Sequence, residues 1–164
     1  EIGAVAGFEK SGHFFFNQPM GRGYDDGLIF ALAVCDMLDR NPGKSMANLR
    51  EALPKTWSSP TMAPHCDDEI KYRVVEDVVR HFEAAKSKGD KVIGQPIRDL
   101  VTVNGVRVTV EDGTWGLVRA SSNKPELVVV VESPVSEARM HEMFKAVDAV
   151  LRTHPEVGEY NQTI

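Results

Sequence analysis

Two short segments carry the residue types that could do chemistry. The first, Gly7-Phe8-Glu9-Lys10-Ser11-Gly12-His13, sets a carboxylate, a hydroxyl and an imidazole at alternate positions, Glu9, Ser11 and His13. In an extended or gently turning loop, residues i, i+2 and i+4 point the same way. The result is a small polar face of donors and acceptors suited to the vicinal hydroxyls of a sugar, each of which both donates and accepts. The plain alternative is a polar turn between two strands. The second segment, Arg119-Ala120-Ser121-Ser122-Asn123-Lys124-Pro125, offers a guanidinium fork, two hydroxyls, an amide and a second cation. Together with loop N–H groups these could cradle an anion. A solvated hairpin loop using Ser, Asn and Pro for turn chemistry is the competing reading.

Other matches are weaker. Ser121-x-x-Lys124 lacks the partner motifs of the serine β-lactamases. Gly21-Arg22-Gly23-Tyr24-Asp25-Asp26-Gly27 misses the dinucleotide-binding spacing by a residue. His65-Cys66-Asp67-Asp68 has no second ligand pair at zinc spacing and reads as loop and helix cap. For Ser11 and His13 as a hydrolase pair, no base-orienting acid is identifiable. Trp115, between two glycines, reads as core packing. Asn161-Gln162-Thr163 fits the glycosylation sequon but no secretory signal accompanies it.

The elements that must position the two segments follow from periodicity and punctuation. Residues 1–16 suggest two short strands, with Phe14-Phe15-Phe16 the second, around the first polar loop. Asp25 or Asp26 can cap the next helix. From Leu28 to Leu38 that helix is apolar almost all round, so burial on several sides is expected, Cys35 included. Asn41-Pro42-Gly43 stops it. Residues 42–64 are a mixed connector with a short helix near 45–53, broken by Pro54, Pro60 and Pro64. Ile70, Val74, Val78 and Phe82 then stack on one face of a helix over 69–88. Asp67 and Asp68 are expected to cap it, and Gly89 to end it.

A strand ladder follows. Asn104-Gly105 predicts a two-residue type I′ hairpin, and Asp112-Gly113 a second turn. Thr114–Arg119 is the third strand, and Leu127–Val131 an apolar central one. A last helix starts near Ser133-Pro134 or Ser136, carries Met140, Met143, Phe144, Val147, Val150 and Leu151, and stops at His154-Pro155. The expected fold is α+β. A four-stranded antiparallel sheet flanked by helices (67–155) follows the tail of an α/β domain (1–42) and a connector (43–66), and a terminal stretch (156–164) is free to fray.

Composition sets the outer limits. The chain has 164 residues with 42% hydrophobic and 26% charged, a globular balance. The net charge of −5 argues against nucleic acid as a partner. No apolar run reaches membrane-spanning length, and two cysteines make no disulfide framework, so no membrane and a cytoplasmic setting are expected. Glu1 stands where a Met would begin a chain and lies inside an apolar Gly/Ala/Val stretch, so a piece of something longer is expected.

Taken jointly and in this order, the two loops resemble the phosphomannomutase/phosphoglucomutase branch of the α-D-phosphohexomutases. Glu9-Lys10-Ser11-Gly12-His13 is similar to that family's Gly-Glu-x-Ser-Gly-His sugar loop. Tyr24-Asp25-Asp26-Gly27 leading into an apolar helix also looks like the family, and Gly113–Ser121 is similar to its Trp-Gly-Leu-Val-Arg-Ala-Ser run. The resemblance implies that Glu9 and Ser11 hold sugar hydroxyls and that His13 is a candidate proton carrier. It implies that Arg119, Ser121, Ser122 and Asn123 bind the phosphate that is not transferred; Lys124 joins them as a candidate on the residue pattern of the loop. Ser122 and Asn123 stand where the family usually has Asn then Thr, and both keep hydrogen-bonding groups. The implied reaction moves phosphate between the 1- and 6-hydroxyls of mannose or glucose through an enzyme phosphoserine and a bisphosphorylated sugar. The phosphoserine loop and the Asp-rich loop for Mg2+ have no match in this sequence, and the family places them in upstream domains. The chain is therefore expected to bind phosphosugar but to be inactive alone. The alternative is a non-catalytic phosphosugar-binding module.

Overall fold

The computed structural model describes residues 3–9 and 12–164. Ser11, one of the candidate site residues, lies outside the described residues. The chain divides into two compact units, Glu1–Pro54 and Lys55–Ile164.

In the first unit, β1 (Ala6–Phe8) and β2 (Phe14–Phe16) form an antiparallel pair with Ala6 opposite Phe16. Helix α1 (Gly27–Asp39) starts where Asp26 turns extended and its carboxylate accepts from the N–H groups of Leu28 (3.0 Å) and Ile29 (3.1 Å). The ring of Phe30 stacks on Phe14 at 3.6 Å between centroids. Beyond that contact α1 has little to lie against in its own unit. None of its residues is buried, Leu28 and Leu32 are 71% and 59% exposed, and Cys35 is exposed. The expected burial on several sides is thus not found, because burial needs neighbours that this unit does not supply. Helix α2 (Met46–Glu51) opens with a capping box between Ser45 and Asn48.

The second unit is a six-stranded antiparallel sheet with two helices on one face. The strands are β3 (Trp57–Ser58), β4 (Lys91–Val92), β5 (Gln95–Val101), β6 (Val106–Val110), β7 (Trp115–Ala120) and β8 (Leu127–Ser133), in the spatial order β3-β8-β7-β6-β5-β4. The four-stranded meander is present, and the two extra strands are two-residue edges with no periodicity to announce them. Helix α3 (Lys71–Lys88) lies against β5, β6 and β7, and helix α4 (Glu137–Leu151) against β3, β7 and β8. Val74, Val78 and Phe82 of α3 and Met140, Met143, Val147 and Leu151 of α4 meet alternate valines of the sheet in one core. Each fully buried side chain of this size contributes about 1.5–3 kcal/mol. Gly116 lets α4 approach: a Cβ there would lie 2.7 Å from Val147 Cγ2.

Four expectations need correction. Asn104-Gly105 is not a type I′ turn, because only Gly105 has positive φ (96°), and residues 102–106 lie between the paired Val101 and Arg107. A two-residue turn with positive φ at both positions does occur, at Ile93-Gly94 (47° and 77°), between the paired Val92 and Gln95. A β-branched residue is strained there, and the Ile93 carbonyl accepts from Arg139 Nη1 at 3.0 Å. Helix α3 has Ile70 at its cap with no side-chain bond; Asp68 pairs instead with Lys71, while the Asp67 carbonyl receives the Ile70 and Lys71 N–H groups. Trp115 is half-buried with Arg107 over its ring, not in the core. Residues 156–164 are tied down: Asn161 Oδ1 accepts from the Ala63 N–H (2.8 Å), and Tyr160 donates to Asp148 (2.9 Å). Burial with that contact pushes the Tyr160 phenol well above its usual range.

Candidate functional site

The first polar loop is the connection between β1 and β2. Its base is closed by the Glu9 N–H donating to the His13 carbonyl (3.0 Å), and Gly12, at φ 93°, turns the chain. Glu9 and His13 are both exposed. His13 is oriented. Its Nδ1–H donates to Asp25 Oδ2 at 2.6 Å, and the other oxygen of Asp25 receives the Phe14 N–H at 2.9 Å. This fixes the tautomer and leaves Nε2 as the outward nitrogen. The hydrogen bond and charge of Asp25 raise the His13 pKa, and the imidazole in turn holds the Asp25 carboxyl below its usual range. Sequence reasoning found no acid to orient His13. The signal was the doubled Asp25-Asp26: one carboxylate suffices for the cap, which leaves the other for His13.

The second polar loop joins β7 to β8. Along β7 the buried positions are Gly116, Val118 and Ala120, with Gly116 against α4, so Trp115, Leu117 and Arg119 take the opposite face by alternation. Arg119 therefore stands half-buried at the strand end, on the face away from the helices, with Nη1 bonded to the Ala120 carbonyl (3.1 Å). Ser121 is buried, its N–H closes the hairpin onto the Glu126 carbonyl (3.0 Å), and its Oγ receives the Asn123 N–H (3.4 Å). Ser122, Asn123 and Lys124 are exposed. Among the described residues, the N–H groups of Ser122 and Lys124 have no hydrogen-bond partner.

The loop is held from below. Lys71, at the start of α3, is only 3% exposed, and its Nζ donates to the carbonyls of Ser121 (2.5 Å) and Lys124 (2.9 Å) and to Asp68 Oδ1 (2.6 Å). Cys66 donates its N–H to the Pro125 carbonyl (3.0 Å). Cys66 is itself buried, and burial pushes its thiol up, away from the reactive thiolate. Lys71 was missed by sequence reasoning. Its signal is a cation in register with the apolar stripe Val75, Val78, Phe82 of α3.

The structure thus places Arg119 at the end of β7 and Ser121, Ser122, Asn123 and Lys124 in the loop that follows it in the second unit, and Glu9 and His13 in one loop of the first. Among the described residues no group of three or more His, Cys, Asp or Glu side chains could hold a metal ion. Among the described residues no helix is long and apolar enough to cross a membrane.

Comparison with known proteins matches the chain in two parts. Residues 66–150 match the family described as phosphoglucomutase/phosphomannomutase, C-terminal domain. Residues 1–57 match its alpha/beta/alpha domain III. The chain belongs to the phosphoglucomutase/phosphomannomutase family. Among similar curated proteins, a phosphomannomutase/phosphoglucomutase of Pseudomonas putida is 30% identical over 159 residues, covering 96% of this chain and 31% of that protein. That of Pseudomonas aeruginosa is 32% identical over 157 residues, 92% of this chain and 31% of that protein. A phosphoglucomutase of Neisseria meningitidis is 32% identical over 130 residues, 76% of this chain and 25% of that protein. The chain thus spans under a third of the length of these relatives. A phosphoglucomutase/phosphomannomutase family protein of Burkholderia thailandensis shares the fold, with a TM-score of 0.72 at 24% identity over 98% of this chain and 30% of that chain.

Proposed function

We propose that this chain is the sugar- and phosphate-binding C-terminal part of a cytoplasmic phosphohexomutase that interconverts hexose 1-phosphate and hexose 6-phosphate, with mannose or glucose as the hexose. In this reading the phosphoserine and its Mg2+ belong to upstream domains of the same protein, and the chain alone binds without turnover. Covalent phosphoryl transfer needs a nucleophile, which this reading places outside these residues. Glu9 and Ser11 hold sugar hydroxyls. His13, with Nδ1–H held by Asp25, presents Nε2 as the atom that takes or gives a proton. Arg119 and the loop 121–124 hold the phosphate that stays on the sugar.

The observation that carries the proposal is the second loop. A guanidinium at the end of β7 stands beside a hairpin whose Ser122 and Lys124 N–H groups are uncommitted among the described residues. Arginine grips phosphate through parallel hydrogen bonds that a lysine point charge does not copy. An NMR titration with glucose 6-phosphate tests it. Binding to this chain is expected to be weak, about millimolar or −4 kcal/mol. Amide shifts should centre on residues 119–124. Arg119→Ala removes a charge-assisted contact and should cost about 1.5–3 kcal/mol, tenfold or more in affinity, without unfolding. Equal binding by the variant, or shifts centred elsewhere, would refute the assignment.

A further inference from the structure

The geometry points to Lys71 as a positioning residue that sets the anion-binding form of the loop 121–124 from inside the fold. The role rests on the phosphate-cradle reading of that loop. An ammonium carries three donors and no acceptor, and buried without partners it would be strongly destabilising. All three donors here are committed, two of them to backbone carbonyls at the two ends of a four-residue segment, Ser121 and Lys124. Drawing both carbonyls inward fixes the direction of the intervening peptides. The uncommitted N–H groups of Ser122 and Lys124 and the side chains of Ser122 and Asn123 remain for the exposed side. Asp68, largely exposed, takes the third donor and balances the charge. Lys71 thus acts on the phosphate through the loop and does not touch it. It is also the one cation on the otherwise apolar buried face of α3, a placement that packing alone does not explain.

The test uses the whole chain with inorganic phosphate as the probe. Amide chemical shifts and 15N relaxation of residues 121–126 are measured first without phosphate, then phosphate is titrated. In Lys71→Met, which keeps the length and apolar stem, the loop amides should shift and lose order, and phosphate affinity should fall at least tenfold. Amides around Asp112 and Arg139, in a separate ion-paired cluster, should keep their positions, which a general loss of packing would not allow. If loop order and affinity in Lys71→Met stay within twofold of wild type while wild type binds at 119–124, the role of Lys71 is overturned and the cradle reading stands. If wild type shows no phosphate shifts at 119–124, the cradle reading falls and the positioning role falls with it, whatever the variant does to loop order. Should Lys71→Met not fold, Lys71→Gln, with two amide donors and no charge, carries the same comparison: about threefold weaker binding supports the role and unchanged binding overturns it.

Discussion

His13 and Asp25 form an exposed pair whose geometry has a direct consequence in pH. The raised pKa of His13 means that its protonated form gains the contact on folding. That contribution is complete below the ordinary value of 6.5 and is lost as pH rises through the raised value. Asp25 works in the opposite sense, contributing above its ordinary 3.8 and losing the contact as pH falls through its lowered value. Between those limits the imidazolium is held in one orientation. An NMR titration of the His13 ring should therefore give a midpoint above 6.5, and Asp25→Asn should bring it back toward that value; identical midpoints would show that the pair does not form in solution. Residue types at the two polar loops were legible, because Glu, Ser and His at alternate positions and Arg before Ser-Ser-Asn-Lys stand out in the chain. Their supports were not. Asp25 lies 12 positions from His13, and Lys71 lies 50 and 53 positions from the carbonyls it holds. Only the fold brings such pairs together.

Elements were read well where burial enforces a period and poorly where a few backbone angles decide. Val74, Val78 and Phe82 on α3 appear where expected because one face of the helix is buried. The edge strands β3 and β4, two residues each, have too little length to show a period. Asn104-Gly105 and Ile93-Gly94 show how turn chemistry misleads. The favoured dipeptide makes a longer turn, and an unfavoured one makes the tight turn because Arg139 and the strand register hold it. Gly105 is nonetheless required where it stands. A Cβ there would lie 2.2 Å from the Val118 carbonyl oxygen and 2.8 Å from Arg119 Cα, and φ is 96°. Gly105→Ala should therefore destabilise the second unit by more than about 1 kcal/mol. Because the collision falls on the β7 end that presents Arg119, it should also weaken phosphate binding. A variant with unchanged denaturant midpoint and unchanged affinity would show that the β5–β6 turn relaxes freely.

At the scale of the whole molecule, the two units differ in how much each can bury. The second carries a continuous core from α3 and α4 through β6, β7 and β8, with Val78, Val108, Val129, Met143 and Leu151 fully enclosed. The first offers α1 a stack on Phe14 and an Asp26 cap but no enclosed position along its 13 residues. A helix of about 12–15 residues is marginal in water on its own, so α1 depends on contacts that its unit supplies only in part. Local opening should therefore expose α1 far more often than β8, which sits between two strands and beneath α4. Amide hydrogen exchange on the intact chain reads this directly. Amides of β8 and the middle of α4 should exchange only through global unfolding of their unit. Those of Leu32–Leu38 should exchange orders of magnitude faster, with a rate that hardly changes in low denaturant, as expected for openings that expose little new surface. Equal protection of the two sets would mean that α1 is covered by contacts beyond those of its own unit, and the two-unit account of this chain's stability would have to be given up.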